Sequence, residues 1–140
     1  MIVECSSCSK SNRLPAARLG EKAKCAACKA NLLPLARPIA VGSASEFDEL
    51  IRDAPLPVLV DFWAAWCGPC RAVGPEVAKI AGQRAGSVIV AKLDTEAVPE
   101  VAQRFGIRSI PTMIVFRGGQ EAQRLSGAMP ADAITSRLSL

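Results

Sequence analysis

The sequence predicts an α/β fold, a central mixed β-sheet flanked by helices, preceded by a small four-cysteine module. Three observations carry that expectation. Val58–Trp63 and Val88–Asp94 are apolar at nearly every residue, the pattern of strands covered on both faces. Helical periodicities and Gly/Pro turn signals separate such runs at the spacing of strand–helix–strand units. Charge also divides unevenly: residues 1–40 carry seven Lys/Arg against two Glu, net +5, whereas residues 41–140 carry ten against eleven acidic residues, net −1. That asymmetry marks two parts with different chemistry.

The reading places a module at 1–35, a linker with the start of the first strand at 36–42, and the α/β domain at 43–140. Residues 1–34 lack apolar periodicity and set Ser, Asn, Pro and Lys around four cysteines. Segments below about 40 residues rarely fold without a metal or disulfides. Leu35–Gly42 runs into a short first strand. Ser43 and Glu46 fit a capping box, opening a helix to about Asp53 that buries Phe47, Leu50 and Ile51 and ends before Pro55 and Pro57. After the Val58–Trp63 strand, a helix should run from near Cys67 to about Arg84, bent at Pro75. The Val88–Asp94 strand leads into a short helix, Val98 to Phe105, closed by Gly106. Met113–Arg117 and Glu121–Ser126 flank Gly118-Gly119, a two-residue hairpin signal. Pro130 begins the last helix, which reaches Leu138. The order after the module is βαβαβαββα.

Half of the 140 residues are apolar and 21% are charged, a globular composition. No apolar run approaches the ~18 residues of a membrane-spanning helix, so no membrane partner is expected. Met1-Ile2-Val3-Glu4-Cys5 has no basic stretch ahead of an apolar core, so no secretory signal is expected. There is no histidine. Ser–His–Asp and Cys–His catalysis are therefore excluded, and a general base has to be a carboxylate, a lysine or a thiolate. The basic N-terminal segment contains no aromatic residue to stack on a base. Four thiolates holding one divalent metal would lower its charge to +3, so nucleic-acid binding is not expected.

All six cysteines fall in Cys-x-x-Cys pairs: Cys5/Cys8, Cys25/Cys28 and Cys67/Cys70. In a reducing compartment such pairs bind metal or do redox chemistry more often than they form a structural disulfide framework. Cys67, in Trp66-Cys67-Gly68-Pro69-Cys70, follows a strand at a helix N-terminus. There the positive helix end and free amide donors favour the thiolate, the reactive species. Cys70 sits one turn along the same face, close enough for a disulfide. Cys67 can attack a substrate disulfide and Cys70 can resolve the mixed disulfide. Gly68-Pro69 adds no charge and no side-chain donor to stabilise the reduced form, which favours a reductant over an oxidant. A zinc knuckle is the competing reading of this pair; the strand–turn–helix context and Pro69 in the first helical turn weigh against it.

Asp61 interrupts an otherwise apolar strand. A buried carboxylate without a cation has a raised pKa and could exchange a proton with Cys70 near neutral pH; an equally weighted alternative is a structural Asp capping a loop. Lys92 interrupts the second central strand and is expected near Asp61, unless it extends out of the sheet end. Pro111 lacks an amide donor and should open the following strand; Ile110-Pro111 is a candidate cis bond, although sequence alone leans towards trans.

Val-Asp-Phe-Trp-Ala-Ala-Trp-Cys-Gly-Pro-Cys-Arg (60–71) and Gly-Ile-Arg-Ser-Ile-Pro-Thr (106–112) resemble the thioredoxin family over about residues 38–140. The resemblance implies the thioredoxin fold and dithiol–disulfide oxidoreductase activity, with Cys67 attacking and Cys70 resolving. It implies Asp61 as the buried proton acceptor, Lys92 as its neighbour and Pro111 as a cis-proline beside the site. Trp66, Gly68, Pro69, Ile110, Pro111, Gly127 and Ala128 would border the groove for extended substrate chains. Arg71 replaces the family's usual lysine and keeps its charge.

In the module, 16 residues separate Cys8 from Cys25, a two-knuckle zinc spacing. Four thiolates with no open position indicate a structural Zn²⁺ site rather than a catalytic one; because Lys22, Lys24 and Lys29 surround oxidisable thiolates, the alternative is a redox-responsive site that releases zinc on oxidation. Iron is the rival; rubredoxin-like knuckles carry glycine where this chain has Ser9 and Lys29, which favours zinc. A zinc-ribbon-like module containing Asn12-Arg13-Leu14-Pro15 ahead of such a domain resembles the bacterial thioredoxin 2 type over essentially the whole chain. That implies a cytoplasmic protein with disulfide-containing protein substrates, an NADPH-dependent thioredoxin reductase as electron source, and a role in oxidative stress. Two rival functions remain, an isomerase or oxidase on the same fold and a zinc-ribbon adaptor using the domain as scaffold.

Overall fold

The computed structural model describes residues 1–140. Two three-residue strands open the chain, β1 (Ile2–Glu4) and β2 (Ser11–Arg13), paired antiparallel with Val3 opposite Asn12. A single 3₁₀ turn follows at Ala16–Arg18. Strands β3 (Ile39–Val41), β4 (Val58–Trp63), β5 (Ile89–Asp94), β6 (Thr112–Arg117) and β7 (Gln120–Ser126) form one mixed sheet in the order β3-β5-β4-β6-β7. β3 and β4 run parallel to β5, while β6 is antiparallel to both β4 and β7. The helices are α1 (Ala44–Asp53), α2 (Gly68–Gln83), α3 (Pro99–Arg104) and α4 (Ala131–Arg137). The predicted fold and its element order are those observed.

Local chemistry explains the boundaries. The Ser43 hydroxyl accepts from the Glu46 amide at 3.1 Å, the cap that starts α1. Gly118 and Gly119 take φ of +59° and +81° in the β6–β7 turn, a conformation that two adjacent glycines adopt without side-chain clash. Pro75 lies inside α2, which continues through it to Gln83. Leu59, Val90, Met113 and Val115 pack on one sheet face against Val73, Val77 and Ile80 of α2 and Ile134 of α4. Val60, Phe62, Ala91, Ile114 and Phe116 pack on the other against Phe47 and Leu50 of α1 and Val101 of α3. Alternation along β4 therefore turns Leu59 and Asp61 towards the α2 face.

Sequence reading did not anticipate the β1–β2 hairpin, whose strands are too short for a periodic signal. The four-cysteine spacing points to a metal as the organiser of residues 1–34. The structure adds a second. Met1, Val3, Leu14, Ala16, Leu19, Leu32, Leu33 and Leu35 join Ile39, Val41, Phe47 and Leu50 in one continuous apolar cluster. The Ala16 amide donates to Glu49 Oε2 on α1 at 2.8 Å, and Arg37 Nη2 donates to the Glu4 carbonyl at 3.3 Å. The module is packed onto the edge of the sheet and onto α1.

Candidate redox and metal sites

Cys67 is the N-cap of α2, and its sulfur accepts from the Cys70 amide at 3.1 Å. A thiolate there faces the unsatisfied amides and positive end of a 16-residue helix. Cys67 and Cys70 are joined in a disulfide with their Cα atoms 5.3 Å apart, and each sulfur-bearing residue is only 4% exposed. Gly68 and Pro69 between them are exposed. Trp66, 68% exposed, stands beside the pair.

The loop before β6 reaches Cys67 and is tied in turn to the end of β7. The Ile110-Pro111 bond is cis, and the Ile110 carbonyl oxygen lies 3.7 Å from Cys67 Sγ. The Gly127 amide donates to the Pro111 carbonyl at 2.9 Å, with Gly127 at φ +100°. The Thr112 hydroxyl donates to the Ser109 carbonyl at 2.6 Å and meets the Ser126 hydroxyl at 2.9 Å, tying the loop before β6 to the end of β7. Ala128 follows Gly127 on the same exposed loop. Sequence reading missed one participant: Glu96 Oε1 accepts from Trp66 Nε1 at 2.8 Å and holds the exposed indole. The two are 30 positions apart in sequence, and nothing local links them.

Asp61 is wholly buried, and neither carboxylate oxygen has a hydrogen-bond partner. Its backbone neighbours are Lys92 on β5 and Met113 on β6. Burial pushes its pKa from 3.8 up to about 6, with the Lys92 charge opposing the rise. Lys92 Nζ sits 4.9 Å from the centre of the Trp63 ring. An open groove of about 700 Å³ behind the disulfide brings Cys70, Arg71, Gly74 and Pro75 of α2 together with Trp63 and Lys92. The Arg71 guanidinium donates to the Ala65 carbonyl at 2.9 Å.

In the module, the sulfurs of Cys5, Cys8, Cys25 and Cys28 all lie within 4.8 Å of one another. Cys5–Cys28 and Cys8–Cys25 are each 3.6 Å apart, close to the ~3.8 Å that a tetrahedron with metal–sulfur bonds of about 2.3 Å requires. The two knuckles repeat one backbone design. The Cys5 and Cys25 carbonyls accept from the Ser9 and Lys29 amides, while the Cys5 and Cys25 amides donate to the Lys10 and Ala30 carbonyls. The Cys28 amide, then Ala27's amide and the Asn12 side chain, draw the Cys25 thiol down to about 6. Buried Asn12 reaches Cys25 Sγ at 3.6 Å and accepts from the Ala26 amide at 3.0 Å. Its place in Asn12-Arg13-Leu14-Pro15 was visible in sequence, but its role of joining the hairpin to the second knuckle was not. The donor set fits a tetrahedral metal.

Ser9 and Lys29 both have φ +66°, the left-handed geometry that glycine supplies in other knuckles. The absence of glycine thus does not change the backbone at these positions. A non-glycine residue in that region costs about 1–2 kcal/mol, part of which glycine's greater unfolded freedom offsets. Lys29→Gly is therefore expected to stabilise the module by up to about 1 kcal/mol, read as a higher unfolding temperature with metal content unchanged. Chelation, by contrast, is expected to disorder residues 1–33 and uncover the apolar face beneath them. The whole chain should then melt at lower temperature than the metal-loaded form. An unchanged melt of the α/β domain after complete metal removal would show that the module contributes nothing to it.

Two family models match the chain. The Thioredoxin family model matches residues 38–139, and a zinc-ribbon family described as "Thioredoxin 2, N-terminal" matches residues 4–30. Thioredoxin C-3 of Corynebacterium nephridii is 42% identical over 129 residues, covering 92% of this chain and 87% of its own. A thioredoxin of Synechocystis sp. is 50% identical over 96 residues, 69% of this chain and 90% of its own. A solved Plasmodium falciparum thioredoxin superposes with a TM-score of 0.67 at 32% identity, covering 72% of this chain and 96% of its own. Because these matches account for the redox domain and the metal knuckles alike, the chain belongs to the thioredoxin family of thiol–disulfide oxidoreductases, in its two-part thioredoxin 2 form.

Proposed function

We propose that the protein is a cytoplasmic protein-disulfide reductase, working in oxidative stress and recharged by an NADPH-dependent thioredoxin reductase. The observation that carries this is Cys67 at the N-cap of α2 beside the Ile110-Pro111 and Gly127 backbone. In the dithiol form, Cys67 attacks one sulfur of a substrate disulfide. The substrate S–S bond breaks, a mixed disulfide forms and one substrate thiolate leaves. Asp61, wholly buried and not part of the groove lining, takes the Cys70 proton through an intervening water. The Cys70 thiolate then attacks Cys67 Sγ, releasing the second substrate thiolate and leaving the Cys67–Cys70 disulfide. Two electrons pass to the substrate, and the reductase returns two to the protein.

Trp66, Gly68, Pro69, Ile110, Pro111, Gly127 and Ala128 receive the extended substrate segment, and Lys92 tempers the charge on Asp61. Cys5, Cys8, Cys25 and Cys28 hold one Zn²⁺, which cross-links the module and takes no part in the exchange. Peroxide titration with a zinc-binding dye, in a protein lacking Cys67 and Cys70, separates this structural role from a redox-responsive one: early zinc release would favour the latter. The test of the main reading is NADPH consumption with thioredoxin reductase and an insulin-type substrate, alongside metal analysis. Absence of turnover where a control thioredoxin is active would refute it.

A further inference from the structure

The surface of the module is predominantly basic, with Glu4 and Glu21 its acidic side chains. Lys10, Arg13, Arg18, Lys22, Lys24, Lys29 and Arg37 are all exposed. Only Arg18 has a carboxylate partner, Glu21 at 3.3 Å. Lys29 and Arg37 spend their donors on backbone carbonyls, those of Ala26 and Glu4. The excess charge is held at a fixed place, because the module shares its apolar core with the domain and is latched through Glu49.

A cleft of about 480 Å³ runs along the seam, with Ile2 and Glu4 on one wall and Arg37, Pro38 and Ala40 on the other. Lys92 lines this cleft and also the groove behind Cys70. β1 pairs only with β2, and β3 only with β5, so each leaves an unpaired edge. The Met1–Leu14 and Cys5–Lys10 bonds set the β1–β2 register, and the Ile2 and Glu4 backbone groups alternate away from β2. The Arg37 guanidinium already occupies the Glu4 carbonyl, as a strand amide would. Ile2, 39% exposed, is besides Trp66 the large apolar side chain left open to solvent.

We propose that this basic module surface and its seam dock an extended, acidic segment of the disulfide-bearing protein substrate, as an exosite beside the redox centre. The proposal rests on the reductase reading. Carboxylates on the segment would meet cations that lack partners, its backbone would reach the open β1 edge, and an apolar residue would cover Ile2. Glu4 is the one carboxylate in the cleft, and Arg37 and Lys92 of the same lining outnumber it. A protein segment is favoured over nucleic acid because residues 1–40 offer no aromatic ring for a base.

The test uses the full metal-loaded chain and three substrates: an acidic disulfide peptide, a matched basic one, and neutral hydroxyethyl disulfide. The wild type should prefer the acidic peptide in kcat/KM by about 10-fold or more at low salt, and lose that preference as salt rises. Lys22→Glu/Lys24→Glu/Lys29→Glu, and separately Arg37→Glu, should abolish the preference and leave hydroxyethyl disulfide turnover and zinc content unchanged. Equal use of both peptides by the wild type, or a preference surviving both variants, overturns the exosite. So does competition by duplex DNA with no effect of peptide charge. Failure of wild type on hydroxyethyl disulfide would instead strike at the reductase reading itself.

Discussion

Cys70→Ser is expected to abolish turnover and convert the protein into a trap. Cys67 remains at the α2 N-cap, where the helix end favours its thiolate. It still attacks, but no second thiol one turn away can displace the mixed disulfide. Cross-linked substrate should accumulate and be released by dithiothreitol. Cys67→Ser is expected to abolish turnover and trap nothing, since Cys70 lies within the first turn of α2 and lacks the N-cap position that favours the Cys67 thiolate. Non-reducing electrophoresis against whole-cell protein distinguishes the two. Equal trapping by both variants would show that attacker and resolver have been misassigned.

Asp61→Asn should slow exchange and stabilise the fold together. General acid–base assistance is worth about 10²–10⁴-fold; with water relaying the proton, a loss near the lower end is expected, confined to the resolving step. The stability effect follows from proton binding. Burial raises the Asp61 pKa from 3.8 to about 6, so the folded protein keeps this proton to higher pH than the unfolded chain does. Below about pH 4 both states are protonated and the carboxyl costs nothing; as pH climbs through 6 the unpartnered carboxylate ionises and its full penalty appears. That penalty is about 3 kcal/mol for a shift of this size. Asparagine brings its own buried polar atoms, so a net gain of about 1–3 kcal/mol is expected at pH 7–8, shrinking towards pH 4. Thermal unfolding across that range measures it. Exchange rates that match wild type from pH 6 to 9 would remove Asp61 from the mechanism.

The contrast between Asp61 and Glu96 shows what the sequence could carry. Asp61 was legible because a charge inside an apolar strand is anomalous in one dimension. The four knuckle cysteines and the Cys67 pair were legible for the same reason, as fixed spacings with a chemical purpose. The sheet was legible because β4 and β5 are long and doubly covered, and α1 because Ser43 and Glu46 announce it. Glu96 was not, since a surface glutamate becomes an indole's partner only when β4 and the loop after β5 meet. Three-residue strands such as β1 and β2 carry too few side chains to show a period. The packing of Val3 and Leu14 onto α1 was hidden because apolar residues among cysteines and lysines read as filler. The cis geometry of Leu33-Pro34 had no sequence cue, and that of Ile110-Pro111 rested on family resemblance.

A protein engineer wanting the short, single-domain form would meet the seam first. A chain starting near residue 36 bares Ile39, Val41 and the α1 side around Leu50, which the module now covers. Glu49 would lose the amide it accepts from. Contiguous apolar surface of that kind promotes self-association in concentrated solution. The truncated protein should keep its redox pair and lose its shelf life, precipitating on storage unless polar side chains are introduced along the uncovered face.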